Sequence, residues 1–190
     1  MKRIIINLLI LTSITLTSCS TVEFKEVTPK KGKELTSFPK ELIGKYIDMQ
    51  NKDTLTINQT DFQFGKKETL FHLSGNLSDK NTVLKKTNDF FILNTKSENA
   101  KNWIIIPFKY ENDKIFVYYL ILDKETKDKE DAKKYKKEKL ERLNLITKVK
   151  SIKDTTNIID NYIINPTDKE MDEILSSDFF VKIIEFKRLK

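Results

Sequence analysis

The sequence predicts a strand-dominated α+β domain: an antiparallel meander, either a curved sheet or a closed barrel, with one long charged helix and one short C-terminal helix. Apolar and polar residues alternate in short runs between Ile43 and Leu122, which is the period of β-strands. A densely charged stretch without Gly or Pro, Lys124–Arg142, predicts the long helix. Residues 38–190 are enough to build one hydrophobic core, so we expect a single domain there.

The first eight predicted strands are bounded by turn residues. They are Ile43–Met49, Thr54–Asn58, Phe62–Phe64, Thr69–Ser74, Thr82–Lys86, Phe90–Thr95, Trp103–Phe108 and Ile115–Leu122. The last two are continuous apolar runs, which indicates that both of their faces are buried. Glu111-Asn112-Asp113-Lys114 predicts a hairpin between them. Pro107 has no N–H to donate to a ladder, and therefore marks a bulge or an edge position.

The C-terminal third is predicted to mix helix and strand. In the charged helix Glu130 precedes Lys134 by four residues, the favourable order for an ion pair on a helix surface. Its apolar stripe strengthens toward Leu143 and Ile146, so we expect only that end to dock on the sheet. Strands are predicted over Ile158–Ile164 and Phe179–Leu189. Between them, Thr167-Asp168-Lys169-Glu170 has the capping-box pattern that begins a short helix.

The N-terminus has the layout of a secretory signal. Lys2 and Arg3 precede the apolar run Ile4–Leu16, which is shorter than the roughly twenty residues that span a bilayer as a stable helix. The run ends in Leu16-Thr17-Ser18-Cys19, and here the chain resembles bacterial lipoproteins, whose lipobox has an aliphatic residue, two small residues and an invariant cysteine. Cys19 is the only cysteine of the chain.

The resemblance implies a signal peptide over residues 1–18, cleavage between Ser18 and Cys19, and a diacylglyceryl thioether on Cys19 that anchors the protein in a membrane of the cell envelope. Ser20, rather than Asp, follows the cysteine, and the sorting rule of enteric bacteria then implies the outer membrane. Residues 19–37 are polar and broken by Pro and Gly, so we expect them to form a flexible tether.

Composition argues against nucleic acid as a partner. The net charge is +7, but 35 basic residues are interleaved with 28 acidic ones, which is typical of a solvated surface. With the only cysteine reserved for lipid, no disulfide braces the domain. We expect a monomer stabilised by the packing of its apolar side chains.

A second resemblance lies where the domain begins. Leu42-Ile43-Gly44-Lys45-Tyr46, just after Phe38-Pro39, is similar to the first strand of lipocalin-like domains. The resemblance implies a barrel closed at one end by Tyr46, with Arg188 of the last strand stacked on the ring. The chain departs from the family because its long helix precedes the last two strands instead of following the barrel. A differently wound α+β sheet therefore remains an alternative.

No catalytic or metal-binding pattern is present in the sequence. His72 is the only histidine, so neither a Ser-His-Asp triad nor a histidine-based zinc site is supported. It alternates outward between Phe71 and Leu73, as an ordinary surface histidine would. The four glycines lie too far apart for a phosphate-binding loop. We therefore expect no enzymatic activity, no metal and no cofactor.

Two classes of function are compatible with these features. The first is a non-enzymatic envelope protein that binds a protein partner or has a structural role, its aromatic residues being simply core. The second is a lipocalin-like carrier of a small apolar ligand, with a cavity lined by aromatic residues of the predicted strands: Phe62, Phe71, Phe91, Trp103 and Tyr118. A cavity of a few hundred Å3 in the domain would favour the carrier.

Overall fold

The computed structural model describes residues 20–65, 72–87, 89–96, 100–124, 126, 128–153 and 160–189. These residues form thirteen strands and two helices, which confirms the strand-dominated α+β class. The strands are β1 Thr21–Phe24, β2 Lys33–Leu35, β3 Gly44–Asp48, β4 Thr54–Ile57, β5 Asp61–Phe64, β6 Leu73–Asn76, β7 Thr82–Lys86, β8 Phe91–Thr95, β9 Ile104–Glu111, β10 Lys114–Leu120, β11 Lys150–Lys153, β12 Asp160–Ile164 and β13 Phe180–Arg188; the helices are α1 Lys129–Ile146 and α2 Asp168–Ser176.

Ten strands form one curled antiparallel sheet, a half-barrel, in the order β2-β7-β8-β9-β10-β13-β3-β4-β5-β6. It consists of two four-stranded meanders, β3–β6 and β7–β10, and the predicted antiparallel meander is thereby confirmed. The terminal strand β13 lies between them, pairing with β10 on one side and β3 on the other. The last strand in sequence therefore holds the two halves of the sheet together.

The sheet buries both of its faces, as the apolar runs of β9 and β10 predict. Ile105 of β9 belongs to an outer core, whereas its neighbours Ile106 and Phe108 belong to an inner core enclosed by the curl. Successive residues of a strand point to opposite faces, so one strand supplies both cores. The largest fully buried side chains of the outer core are Phe24, Ile92, Leu122, Leu143, Ile164, Met171, Ile174 and Phe179.

A second layer covers the outer face of the half-barrel. It consists of α1, α2 and a small sheet of order β1-β12-β11, in which β1 runs parallel to β12. Leu143 of α1 and Ile174 of α2 are fully buried in the outer core. As predicted, α1 docks through its C-terminal part. Because Asp128 caps its first turn, it begins at Lys129 and extends to Ile146, whereas the predicted range was Lys124–Arg142.

The structure corrects the prediction of a flexible tether over residues 19–37. In its described part, from Ser20, the segment forms β1 and β2 and packs onto the domain. Phe24 is buried in the outer core, and its backbone N–H and C=O are both bonded to Trp103, at 2.8 and 2.7 Å. β2 pairs with β7 at the edge of the large sheet. Backbone pairing with distant strands compensates for the few apolar residues of this segment.

Two local predictions are confirmed in detail. Thr167 accepts a hydrogen bond from the Glu170 backbone N–H, and the Glu170 carboxylate accepts one from the Thr167 N–H, which completes the capping box of α2. Asn112 and Asp113 both have positive φ, at 52° and 60°, as a two-residue turn requires, and they join β9 to β10 as the predicted hairpin.

Candidate ligand pocket

The inner core is not filled. A pocket of about 260 Å3 lies on the concave face of the half-barrel. Fifteen described residues line it, contributed mainly by β4, β5, β9, β10 and β13, and every one has an aliphatic or aromatic side chain. An apolar cavity of roughly 150 Å3 stays dry and takes up benzene. A pocket of this size and composition can therefore hold a hydrocarbon group by excluding water.

The pocket has a buried floor and a partly exposed mouth. Its floor is formed by six buried side chains, Phe38, Ile57, Phe62, Phe108, Ile115 and Phe186. Its mouth is formed by side chains that keep some exposure: Phe64, Leu73, Ile106, Val117, Tyr119 and Ile183. In β10 the floor residue Ile115 comes near the start of the strand and Tyr119 near its end. The pocket therefore opens toward the C-terminal end of β10.

Two irregularities of the sheet lie beside the mouth. The pairing of β10 with β13 jumps from Val117↔Ile184 to Tyr118↔Lys182, which leaves Ile183 as the extra residue of a β-bulge. On the other side of β10, the pairing with β9 runs from Glu111 to Phe108. The next residue is Pro107, which has no N–H to continue a ladder. On the side of β9 that faces β10, Pro107 therefore lies at an edge of the ladder, as predicted.

The opposite end of the half-barrel is closed by Arg188. Its guanidinium lies 4.8 Å from the ring centre of Tyr46 and donates hydrogen bonds to the Tyr46 hydroxyl at 2.6 Å and to the Ile43 carbonyl at 2.8 Å. The Glu41 carbonyl accepts a further bond, and the Asp113 carboxylate lies 3.2 Å away. The predicted pairing of Tyr46 with Arg188 is thus present, and it closes the end remote from the mouth.

The Arg188 guanidinium limits the space at Gly44 and covers the ring of Tyr46. Gly44 has φ +152°, and a Cβ added there would lie 2.5 Å from Nη1 of Arg188, so a side chain has no room beside the guanidinium. The Tyr46 side chain is fully buried and donates its hydroxyl hydrogen to the Leu42 carbonyl at 2.9 Å. Burial raises the pKa of Tyr46 to about 12, so its hydroxyl stays neutral at physiological pH.

The structure brings only part of the predicted aromatic cavity together. Phe62 lines the floor of the pocket, and Phe91 belongs to the inner core, where it stacks on Phe108 at 5.3 Å. Trp103 and Tyr118 belong to the outer core, on the other face of the sheet. Phe71 lies outside the described residues.

Most residues of the pocket mouth were not predicted from the sequence. A signal for part of it exists in β10, where Ile115, Val117 and Tyr119 recur at every second position and all line the pocket. Tyr118 has the opposite parity, which excludes it from that face. Ile183 could not be found in this way, because the bulge changes the alternation of β13 at that residue.

The described part of the chain offers no site for catalysis by metal. It contains no group of three or more His, Cys, Asp or Glu side chains placed to hold a metal ion. His72 lies just before β6 and is half-buried. The pocket itself contains no ionisable group other than the phenol of Tyr119. The arrangement is suited to binding apolar groups.

The residues predicted for lipidation and cleavage, Cys19 and Ser18, lie outside the described residues, which begin at Ser20. Within the described ranges, no helix combines the length and the apolar character needed to cross a bilayer.

No known family model matches this chain, and no curated protein and no solved structure is significantly similar to it.

Proposed function

We propose that this protein is a lipid-anchored protein of the bacterial envelope that binds a small apolar ligand, without enzymatic activity. The observation that carries the proposal is the pocket of about 260 Å3 on the concave face, with its exclusively aliphatic and aromatic lining. A protein with only a structural role gains nothing from an open pocket of this kind, since apolar surface that is left unburied contributes no stability. The pocket therefore favours the carrier over the purely structural alternative.

The size of the pocket limits the ligand. A cavity of roughly 150 Å3 holds the six carbon atoms of benzene. By the same ratio, a pocket of about 260 Å3 holds about ten carbon atoms. Burying each methylene contributes about 0.8 kcal/mol, so such a chain gains about 8 kcal/mol before the costs of association. Those costs are at least about 4 kcal/mol. At most about 4 kcal/mol then remains, so a dissociation constant of about 1 mM or weaker follows for a ligand taken up from water.

The membrane anchor is the second part of the proposal. Its support is the lipobox Leu16-Thr17-Ser18-Cys19 at the end of a basic and apolar leader. We propose acylation of Cys19 and, from Ser20 at the next position, the outer membrane as destination. More than one acyl chain is needed for stable anchoring, and the diacylglyceryl group supplies two. Cys19→Ser should release the protein from the membrane fraction after a high-salt wash, and retention would contradict the anchor.

The closed end supports a lipocalin-like carrier. Tyr46 and Arg188 are in contact at one end of the half-barrel, as the lipocalin-like resemblance implies. The pocket then opens at the other end, where an apolar ligand can enter. We propose a carrier of this kind, with the inner core as its binding site.

Isothermal titration of the Cys19→Ser protein with decanoic acid tests the binding site. Ile106→Trp should weaken binding at least tenfold, because the larger side chain fills the mouth. Leu145→Trp is the matched control, since Leu145 is 87% exposed on α1, which packs on the opposite face of the sheet from the pocket. Decanoic acid that fails to bind, or that binds Ile106→Trp and the unchanged protein equally, would contradict the proposal and favour the structural role.

A further inference from the structure

The N-terminus of the described chain is fixed at the same end of the half-barrel as the pocket mouth. Ser20 is 7% exposed, and its backbone N–H donates a hydrogen bond of 2.7 Å to Oδ2 of Asp123. Its hydroxyl donates a second bond of 3.3 Å to Oδ1. Asp123 follows β10 by three residues, and the mouth residue Tyr119 is the last but one of that strand.

Because Ser20 is fixed to the domain, no flexible tether separates the domain from Cys19. If Cys19 carries lipid, the acylated residue is one peptide bond away from Ser20, which is buried and makes two hydrogen bonds to Asp123. The chain from Tyr119 to Asp123 is four residue steps long, and each step adds at most about 3.6 Å. The Cα atoms of Ser20 and Tyr119 are then at most about 25 Å apart. A lipid on Cys19 would therefore hold this end of the domain near the membrane surface.

Exposed apolar side chains lie at the same end. Val181 pairs with Tyr119 across β10 and β13 and is 44% exposed, and Ile183 of the bulge is 36% exposed. In the small sheet, Ile152 is also exposed and lies opposite Asn161, whose parallel partner is Thr21, next to Ser20. Such side chains are costly in water and favourable against lipid.

We propose that the pocket takes up a single acyl chain of a membrane lipid directly from the membrane in which Cys19 anchors the protein. The inference rests on the proposed function, for both the anchor and the apolar site, and adds the class and the source of the ligand. The chain end fills the pocket, while the polar head remains at the mouth and in contact with water.

An acyl chain has a similar free energy in the bilayer and in the pocket. An acyl chain in a bilayer is already removed from water, so moving it into the pocket exchanges one apolar surrounding for another. Uptake from the membrane therefore avoids the large cost of passing the chain through water. Uptake and return then have similar free energies, as a reversible carrier requires.

The test uses the lipidated protein in phosphatidylcholine vesicles that contain a small fraction of phosphatidylcholine with a diazirine at the end of one acyl chain. After irradiation, mass spectrometry of peptides locates the label. Because the diazirine is at the chain end, we expect it on the peptides that contain the floor residues Phe62, Phe108 and Ile115. Ile106→Trp should lower the labelling at least fivefold, whereas Leu145→Trp should leave it unchanged. The thermal midpoint of Ile106→Trp, measured in parallel, verifies that this variant is folded.

A second variant tests the geometry. Twelve Gly and Ser residues inserted between Cys19 and Ser20 restore the slack of a tether, since such a segment behaves as a flexible coil. Labelling from the membrane should fall severalfold in this variant. Binding of free decanoic acid by the same variant without its lipid should be unchanged, because the pocket is untouched.

The outcomes separate the two proposals. If decanoic acid binds from water but the membrane lipid labels no pocket peptide, or labels α1 instead, uptake from the membrane is overturned and the apolar site remains. Equal labelling with and without the inserted segment would overturn the role of the short connection. If neither ligand reaches the pocket, the proposed function falls as well.

Discussion

The two faces of one sheet differ in how completely they are packed. The outer face is covered by α1, α2 and the small sheet, and its core includes Leu143, Ile174 and Phe179 without exposed surface. The inner face curls around a core that keeps a pocket of about 260 Å3. Since both faces share the same strands, the backbone that one face makes rigid also holds the walls of the pocket on the other.

The comparison separates stability from binding. A filled core contributes stability through contacts that a void lacks. We therefore expect substitutions on the outer face to reduce the free energy of unfolding, and substitutions at the mouth to change binding more than stability.

The largest effect is expected for Phe24→Ala. Phe24 is 1% exposed in the outer core, although it belongs to the segment that the sequence predicts as a tether. Removing a buried aromatic ring costs about 3 to 5 kcal/mol of unfolding free energy. Urea denaturation followed by Trp103 fluorescence measures it. A cost below about 0.5 kcal/mol would mean that β1 does not pack on the domain.

Ile105 and Ile106 form a matched pair, because they are neighbours in β9 on opposite faces. Ile105→Ala should cost about 2 to 5 kcal/mol, the range for a large deletion in a filled core. Ile106→Ala should cost about 1 kcal/mol, because Ile106 lines the pocket and already lacks contacts on one side. Urea melts of the two variants provide the comparison. Equal costs would contradict the division between a filled and an unfilled face.

Gly44→Ala tests the closed end of the half-barrel. A side chain at φ +152° is strained, and its Cβ would collide with the Arg188 guanidinium. We expect a loss of about 2 kcal/mol in the free energy of unfolding. Decanoic acid should still bind to the folded variant, because the mouth lies at the other end. A loss of binding without a loss of stability would show that the two ends are coupled.

The smallest effect is expected for Asp178→Asn, which weakens the attachment of α1. Hydrogen bonds from Arg142 and Lys139, at 2.7 Å each, hold the pKa of the Asp178 carboxyl well below its ordinary value of 3.8. Since the carboxylate is 58% exposed, the pair contributes only about 1 kcal/mol at neutral pH.

The sign of the pH dependence follows from the lowered pKa. The unfolded state binds the proton more readily, so the contribution is fully present above about pH 4 and is lost as the pH falls below that value. The difference in stability between the unchanged protein and Asp178→Asn should therefore shrink between pH 5 and pH 2. Asp172→Asn, a substitution on α2, is the control. A difference that stays constant over this range would contradict the assigned ion pair.

The sequence predicted those elements whose information is local. Alternating residues predicted the meander, and the Thr167–Glu170 pattern predicted the start of α2, because each depends on neighbours in the chain. The strands β1, β2 and β11 were missed. The pairing partners of β1 and β2, which are β12 and β7, lie far away in sequence. A polar segment that pairs through its backbone has the same composition as a tether.

The pocket was predicted by residue type but not by position. Aromatic residues suggested a cavity, yet Trp103 and Tyr118 lie on the outer face, whereas the smaller Val117 and Ile106 lie at the mouth. Which face a residue takes depends on strand register, and a bulge such as that at Ile183 changes it without a sign in the sequence.

A crystal of the Cys19→Ser protein under xenon pressure tests the unfilled inner face most directly, because dry apolar cavities take up xenon. The account predicts xenon within the pocket, between Phe64, Val117 and Ile184, and none in the outer core. In Ile106→Trp the same site should be empty. An inner core that binds no xenon, or a site that persists in Ile106→Trp, would contradict the central claim that this face of the sheet is an apolar binding site.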